Sequence, residues 1–244
     1  MPSLRHERLC CAPVAGVDEA GRGPLAGPVV AAAVILPPKG IPRGIDDSKK
    51  LSAAERARLH DRLMGCAVVG VGIVEPDEID RLNIYWATMK AMTLAVEALG
   101  QAPGHVLVDG NRLPRWTHPA TAIVGGDAVS TSIAAASIVA KHTRDTIMIA
   151  AAESWPHYGW HSNKGYGCVA HLRALREHGP SPLHRRSFAP VAQAELPLPD
   201  PPLQGEVAAR SADGGVSPLA VSPLRRCAPP PLAGEDYDVV IQAC

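Results

Sequence analysis

Residues 14–23 read Val-Ala-Gly-Val-Asp-Glu-Ala-Gly-Arg-Gly, and the rest of the chain is organised around this stretch. It begins as an apolar run typical of a β-strand, and Asp18 and Glu19 follow. Neighbouring side chains on a strand leave opposite faces, so both carboxylates can reach one cation only if the backbone turns there. The same pattern also fits a strand that ends in solvated acids and a glycine-rich turn.

Gly21 and Gly23 flank Arg22 and permit a turn after the two acids. Because glycine has no side chain, backbone N–H groups at these positions can approach a ligand closely. Arg22 adds a planar fork of donors that suits phosphate. Carboxylates for a hard cation beside donors for a phosphate are the parts of a phosphoryl-transfer site.

Hydrophobic patterning predicts alternating strands and helices along the chain. A glycine-rich turn joins the first two predicted strands, so we expect a hairpin. Ser52-Ala53-Ala54-Glu55 has the spacing of a capping box and predicts a helix that ends near Gly65. The predicted strands are 14–18, 28–36, 67–74, 106–108 and 121–124, with a helix start at 76–80, helices at 84–99, 128–154 and 169–177, and a loop at 156–167.

Length and composition restrict the class of protein. A chain of 244 residues with 46% hydrophobic residues can bury a core as one large domain or two small ones. The six cysteines lack the spacing of a zinc site and suggest a reducing compartment. No apolar run approaches the roughly 20 residues of a membrane span. We therefore expect a cytoplasmic protein without a membrane partner.

The formal net charge is zero, so any basic surface must come from local segregation of charge. Such segregation occurs between Trp155 and Phe188, where Glu177 is the only acid among one lysine, four arginines and five histidines. Tyr158, Trp160 and other aromatic residues lie in the same segment. Aromatic rings between cations can hold single-stranded or distorted nucleic acid. A core of aromatic rings beneath a solvated charged face fits the sequence equally well, so both interpretations stay open.

Two further aspartates lie beside predicted elements. Asp109 follows the strand at 106–108, and Asp127 precedes the helix at 128–154. Taken singly, Asp109 fits a turn-forming Asp-Gly pair, and Asp127 fits a helix N-cap. Together with Asp18 and Glu19 they lie on or next to separate β elements, which a sheet can bring to one edge.

The opening stretch resembles the signature of ribonuclease HII, and four further motifs of that family follow in the family's order. They are Asp46-Asp47-Ser48-Lys49-Lys50-Leu51-Ser52, Val108-Asp109-Gly110-Asn111, Gly126-Asp127 with Ile133-Ala134-Ala135-Ala136-Ser137-Ile138-Val139-Ala140-Lys141, and Asn163-Lys164-Gly165-Tyr166-Gly167. The resemblance covers residues 14–191. It implies an α/β, ribonuclease H-like fold, in which helices flank a mixed central sheet and a short helical C-terminal extension follows.

Three regions are expected along the chain. Residues 1–13 form a flexible N-terminal segment, and residues 14–191 form the catalytic domain. Residues 192–244 are rich in proline and contain the partial repeat of Val216-Ser217-Pro218-Leu219 at 221–224. Such a segment cannot bury enough apolar surface to offset its ordering entropy, so we expect a disordered tail.

The resemblance implies that Asp18, Glu19, Asp109 and Asp127 are the catalytic carboxylates and the metal ligands, with Asp18 shared between two ions. Carboxylates without a thiol or imidazole in the same motifs suit Mg²⁺ or Mn²⁺ better than zinc. Two such ions can activate a water and stabilise the leaving oxygen of an in-line displacement, so no protein nucleophile is needed. The resemblance implies an endonuclease that hydrolyses the RNA strand of RNA/DNA hybrids. It also implies cleavage on the 5′ side of ribonucleotides embedded in duplex DNA, which leaves 3′-hydroxyl and 5′-phosphate ends.

Substrate choice is expected at Gly21, Arg22, Gly23 and Tyr166. Only the 2′-hydroxyl separates a ribonucleotide from a deoxynucleotide at a given site, and reading it needs close contact. The resemblance implies that the turn holds the ribonucleotide at an RNA-to-DNA junction, while Tyr166 stacks on the following deoxyribose. Arg22 and Lys49 are candidate phosphate contacts. A solvated Lys49 and a Tyr166 packed on the core fit the sequence as well.

We expect a monomer, and two rival functions stay open. One is a metal-dependent nuclease or resolvase of the same general fold that acts on branched or all-DNA substrates. The intact glycine-arginine-glycine turn and Tyr166 argue against it. The other is a nucleic-acid-binding protein without activity, against which the four acids argue.

Overall fold

The computed structural model describes residues 1–195, which lie in the compact unit Met1–Leu198. Its strands are β1 Val14–Ala20, β2 Val29–Ile35, β3 Val68–Val74, β4 His105–Asp109 and β5 Ala120–Ile123. They form one sheet in the order β3-β2-β1-β4-β5. Strands β3, β2 and β1 pair antiparallel, whereas β1, β4 and β5 pair parallel. The predicted hairpin and the mixed sheet are both present.

Helices cover both faces of the sheet. In the part of the chain that the structure describes they are α1 Ala53–Cys66, α2 Pro76–Leu82, α3 Ile84–Glu97, α4 Gly126–Val129, α5 Thr131–Ser154, α6 Trp160–Asn163, α7 Val169–His178 and α8 Ala189–Ala194. Helix α1 begins with the predicted capping box, in which Ser52 and Glu55 each accept a hydrogen bond from the other's backbone N–H. Within residues 1–195, no helix combines the length and the apolar character of a membrane span.

Two close helix–strand contacts position the layers. A Cβ atom added to Gly16 of β1 would overlap the backbone of Ser132, so this glycine lets α5 lie directly on the strand. On the other side, a Cβ atom on Gly72 of β3 would overlap the backbone of α3 at Ala91. Because these contacts are backbone against backbone, any side chain at either glycine would push a helix away from the sheet.

The first strand is longer than predicted. It continues past Asp18 to Ala20, and Glu19 pairs with Ala31 of β2. Strand β2 is an uninterrupted run of small and β-branched residues, which offers β1 pairing partners beyond the acids. Both carboxylates therefore lie within the strand, and the glycine-rich turn begins after them, at Gly21.

The helices also differ from the sequence prediction at their ends. The segment 128–154 is interrupted at Ser130, where α4 ends and α5 begins. The helix start predicted at 76–80 belongs to the separate helix α2. Asn83, which has a φ of 67°, divides α2 from α3, and its side chain caps α3 by accepting from Tyr85 and Trp86. The loop predicted at 156–167 contains a 3₁₀ turn, Pro156–Tyr158, and the short helix α6.

The N-terminal segment, expected to be flexible, makes defined contacts. One Glu7 carboxylate oxygen accepts hydrogen bonds from Ser132 N–H at 2.8 Å and from the Ser130 hydroxyl at 2.7 Å, at the start of α5. Ser3 donates to the carbonyl of Val129 at 3.0 Å. An acid at a helix N-terminus stabilises the unpaired N–H groups there, and single-sequence patterning does not reveal such a distant capping partner.

The boundary predicted at residue 191 falls inside α8, which runs from Ala189 to Ala194 and was not predicted. Val191 is fully buried in this helix, against Leu25 and Leu175. The rest of the predicted disordered tail, residues 196–244, lies outside the described residues.

Candidate active site

The acids meet at the edge of the sheet where β1 and β4 stop pairing. Val17 is opposite Val108 in the last pair of that ladder, and Asp18 and Asp109 are the next residues of the two strands. Asp127 lies in α4, directly after β5, whose pairing with β4 extends to Asp109. The sheet thus brings together the aspartates that are far apart in sequence.

Burial and mutual repulsion disturb the ionisation of this cluster. Asp18 is only 5% exposed, and burial, followed by the charges of Glu19 and Asp109, raises its pKa well above the ordinary value. Burial also raises the pKa of Glu19, although Arg22 acts against the shift. Burial raises the pKa of Asp109, and the charge of Asp127 adds to the rise. The hydrogen bond from Gly126 acts to lower this pKa but does not outweigh burial.

The chain supplies few cations to offset these charges. Lys49 Nζ lies 3.5 Å from Asp127 Oδ2, and Arg22 Nη1 lies 3.4 Å from Glu19 Oε1. Among residues 1–195, neither Asp18 nor Asp109 has an ion pair. Buried carboxylates that repel one another, with oxygen as the donor atom, fit a hard divalent cation. Within residues 1–195, no group of three or more His, Cys, Asp or Glu side chains is close enough together to hold a metal ion as it stands.

Two hydrogen bonds fix the orientation of the site. Asp109 Oδ1 accepts from the backbone N–H of Gly126 at 2.6 Å, which ties β4 to the start of α4. Asp18 Oδ1 accepts from the N–H of Glu19 at 2.7 Å. Both hydrogen bonds use Oδ1, so neither of these two donors occupies the Oδ2 atom of Asp18 or of Asp109.

Sequence reasoning did not single out Ser48 and Ser137 within their motifs. Their hydroxyl groups are 2.9 Å apart and buried, which joins the loop that carries Lys49 to α5. The Ser137 hydroxyl also acts to lower the pKa of Asp18, against the effect of burial. The available signal was Ser137 within the run of small residues in α5, but a serine at this position is equally typical of close helix packing.

The turn after β1 brings Gly21, Arg22 and Gly23 beside Tyr166. Gly21 has a φ of 97°, and a Cβ atom there would overlap the Arg144 side chain and lie 2.7 Å from the carbonyl oxygen of Pro28. Gly23 lies outside the left-handed region, and its added Cβ atom would be 3.8 Å from Tyr166 Cε1. The two glycines therefore serve different purposes. Gly21 allows a left-handed backbone conformation and close packing, whereas Gly23 leaves open space beside Tyr166.

The aromatic and basic segment divides into core and surface. Tyr158 and Trp160 are buried and stack on each other with ring centroids 5.0 Å apart, so they belong to the core and not to a nucleic-acid surface. Arg185 is buried as well. Tyr166 is 46% exposed, which excludes a tyrosine simply packed on the core. Lys49, with 80% of its side chain exposed, is solvated and yet paired with Asp127.

Comparison with known proteins identifies the family to which the chain is similar. The family model for ribonuclease HII matches residues 15–191. A ribonuclease HII from Rhizorhabdus wittichii is 64% identical over 195 residues, which cover 80% of this chain and 96% of the relative. A ribonuclease HII from Novosphingobium aromaticivorans is 62% identical over 192 residues, which cover 74% of this chain and 97% of the relative.

A solved structure shows the same fold. The ribonuclease H2 from Pyrococcus horikoshii superposes with a TM-score of 0.65 and 28% identity, over 75% of this chain and 96% of that protein. The mixed sheet, the flanking helices and the ordered motifs are therefore explained by common descent. With its ribonuclease H-like fold, the chain belongs to the ribonuclease HII family of metal-dependent endoribonucleases.

Proposed function

We propose that this chain hydrolyses the RNA strand of RNA/DNA hybrids and also cuts on the 5′ side of single ribonucleotides embedded in duplex DNA. Its products are 3′-hydroxyl and 5′-phosphate ends. The observation that carries this proposal is the acidic edge of the sheet next to a turn in which Arg22 and Gly23 are exposed, with Tyr166 beside Gly23. The first part suits phosphodiester hydrolysis, and the second suits recognition of a ribose.

The four carboxylates would hold Mn²⁺ or Mg²⁺. When bound, two such ions supply an activated water and stabilise the leaving oxygen of an in-line displacement. The chain holds the ligands in place, because strand register sets Asp18 beside Asp109 and the N–H of Gly126 orients Asp109. Partial burial of Lys49 acts to lower its pKa, but the charges of Asp127, Asp47 and Asp18 outweigh this effect and raise it, so Lys49 is a cation at the site.

Ribose recognition is assigned to the turn. Arg22 and Gly23 are exposed, and their backbone N–H groups make no hydrogen bond within residues 1–195. Free donors in a segment that lies beside the acids can contact the 2′-hydroxyl and the adjoining phosphate of a ribonucleotide. The Arg22 guanidinium, which is half exposed beside Glu19, can reach the same phosphate.

The nucleic acid would continue past Tyr166 onto a basic groove. This groove has a volume of about 400 Å³, and Arg56, Lys141, Lys164 and Tyr166 are among its lining residues. Asp145 also lines it and pairs with Lys141 at 2.7 Å and with Arg56 at 3.8 Å, so the cations outnumber the acid. Lysine and arginine in a groove neutralise phosphates, and an exposed ring offers a surface for a sugar or base. We propose that the chain acts as a monomer on these duplexes in the cytoplasm.

Three duplexes of one sequence test the proposal. They are an RNA/DNA hybrid, a DNA duplex with one ribonucleotide, and the all-DNA duplex, each incubated with the full-length chain and Mn²⁺ or Mg²⁺. We expect cleavage of the first two, with the second cut on the 5′ side of the ribonucleotide. Cleavage of the all-DNA duplex would support the resolvase alternative, and binding without cleavage would support the inactive one.

A pair of matched substitutions connects the activity to the site. Asp18→Asn should abolish cleavage, because it removes a carboxylate from the acidic cluster. Asp61→Asn is the control, since Asp61 is on α1 and 79% of its side chain is exposed. Equal activity of both variants would refute the assignment of Asp18.

A further inference from the structure

Arg185 is a buried cation without a carboxylate partner among the described residues. It is 0% exposed, and none of the ion pairs in residues 1–195 includes it. Burial, with a smaller effect from Arg144, lowers its pKa to about 9. A buried charge is unfavourable unless polar groups surround it. The polar groups around Arg185 therefore indicate its role.

Backbone carbonyls surround the Arg185 guanidinium. Nη2 donates to Gly21 at 2.6 Å and to Gly27 at 2.8 Å, and Nε also donates to Gly27, at 3.0 Å. Nη1 donates to Pro24 at 2.9 Å and to Arg22 at 3.1 Å. All of these carbonyls lie within residues 21–27, so one side chain from a distant segment holds the entire turn that follows β1.

Holding the carbonyls also determines where the N–H groups point. In a planar trans peptide, the C=O and the N–H leave opposite sides of the bond. The carbonyls of Gly21 and Arg22 point inward to Arg185, so the N–H groups of Arg22 and Gly23 point away from it. These are the exposed donors that have no partner in the described structure.

The Arg185 backbone is fixed in turn. Its N–H donates to the carbonyl of Leu25 at 2.9 Å, and Gly27 N–H donates to the carbonyl of Leu183 at 2.8 Å. Residues 183–185 therefore pair with residues 25–27, and the guanidinium approaches the turn from a rigid base. A flexible side chain at the same place would not define the peptide orientation.

We propose that Arg185 is a positioning residue for substrate choice, which presents the N–H groups of Arg22 and Gly23 to the ribonucleotide by holding the carbonyls of the same peptides. The inference rests on the proposed function of the turn as the ribose reader. It adds a residue more than 160 positions away in sequence, whose own side chain does not touch the substrate.

The test measures ribonucleotide selectivity in binding. The full-length chain carries Asp18→Asn to prevent cleavage, and fluorescence anisotropy with Mg²⁺ gives the Kd for an all-DNA duplex and for the same duplex with one ribonucleotide. The ratio of the two Kd values is the selectivity. Arg185→Lys keeps the charge but loses the fork, and Arg185→Gln keeps two N–H donors without a buried charge. Both should lower the selectivity by about tenfold or abolish it, since a displacement near 1 Å has effects of this size or larger.

The neighbouring arginine is the matched control. Arg186 is exposed and its guanidinium pairs with Glu195 at 3.0 Å, so Arg186→Lys should keep the selectivity. A loss of folded protein would weaken binding of both duplexes equally and leave the ratio unchanged, which separates positioning from general instability. Thermal melting of each variant gives its folded fraction.

The possible outcomes separate the inference from the function on which it rests. If the parent chain binds both duplexes equally, the turn is not a ribose reader and the proposed function is wrong at that point. If the parent is selective and a folded Arg185 variant is equally selective, the inference about Arg185 is wrong. Unfolding of both Arg185 variants would also overturn it, because Arg185 would then be a residue of the fold and not of the turn.

Discussion

At the scale of single residues, Asp18 combines a functional position with an unfavourable environment. It is buried, it neighbours two other carboxylates, and its pKa is raised. A raised carboxyl pKa means that the folded state holds a proton more tightly than the unfolded state. The free energy of unfolding therefore decreases as the pH rises from the ordinary value near 4 to the raised one. Without metal, ionisation of Asp18 therefore opposes folding.

We predict that Asp18→Asn raises the melting temperature in metal-free buffer while it abolishes cleavage. The substitution removes the repulsion but keeps an oxygen that accepts from the N–H of Glu19. The expected rise is about 2 to 4 °C for each kcal/mol of repulsion removed. Calorimetry with EDTA measures it, and Mn²⁺ should then stabilise the wild type more than the variant. A lower melting temperature would show that Asp18 is mainly a structural residue.

Gly21 and Gly23 differ in what an added methyl group would do. Gly21→Ala places a side chain at a φ of 97° and against Arg144, so it should lower the free energy of unfolding by more than about 1 kcal/mol. Gly23→Ala has room and an allowed backbone, so it should melt like the wild type and bind Mn²⁺ normally. It should still lose activity on the single-ribonucleotide duplex, because the methyl group occupies the space beside Tyr166. Wild-type cleavage by folded Gly23→Ala would move substrate choice away from this turn.

At the scale of elements, a buried histidine pair supports the loop that carries Tyr166. The carbonyl of Tyr166 can only accept, so His171 donates to it through Nδ1 at 2.9 Å and accepts through Nε2 from Trp160 Nε1 at 3.2 Å. His184 then donates through Nε2 to His171 Nε2 at 3.0 Å, and its Nδ1 accepts from the N–H of Ser181 at 3.0 Å. The carbonyl of Tyr166 and the two N–H groups of Trp160 and Ser181, which can only donate, together determine the proton positions on both rings. Both histidines must be neutral.

The pH dependence of stability tests this network. Burial, and then the repulsion that would arise if His171 were protonated as well, lower the pKa of His184 to about 3, whereas the unfolded chain titrates near 6.5. Between these values the unfolded state binds more protons, so the contribution of His184 to stability is complete above about pH 6.5 and decreases as the pH falls toward 3.

We therefore predict that His184→Gln destabilises the protein by about 1 to 3 kcal/mol at pH 8, where buried donors lose their acceptor. The difference from the wild type should shrink as the pH is lowered below about 6.5. Urea denaturation of both proteins at several pH values measures it. A difference that does not change with pH would mean that His184 has the same pKa in the folded and unfolded states, and it would refute the neutral, buried network.

At the scale of the whole molecule, α8 determines how far the chain can be truncated from its C-terminal end without loss of packing. Val191 is buried against Leu25, which follows the turn, and Leu175 of α7. A chain that ends at residue 195 keeps this contact and should match the full-length chain in cleavage and melting temperature. A chain that ends at residue 188 loses it and should be destabilised by about 1.5 to 3 kcal/mol, the free energy of burying one such side chain. Thermal melting and cleavage rates compare the two truncations, and equal melting would show that α8 contributes little.

Local patterning was enough for the five strands and the longer helices. The alternation of strands and helices, the hairpin and the capping box at Ser52 follow from side-chain periodicity and turn chemistry, which act over a few residues. The motif around Asp18 and the motifs that carry Asp109 and Asp127 followed from the sequence as well, because carboxylates of this kind have a recognisable chemistry. Their order along the chain also carried the resemblance to the family.

The tertiary structure decided what depends on distant partners. Pairing with β2 carried β1 beyond its predicted end, and the N–H of Ser132 at the start of α5 donates to Glu7, a contact that patterning along the chain does not reveal. The partners of Arg185 lie at residues 21–27, so its sequence neighbourhood shows only one basic residue among several. Whether such a residue lies on the surface or beneath the turn depends on which carbonyls the fold brings to it, and periodicity contains no information about contacts across that separation.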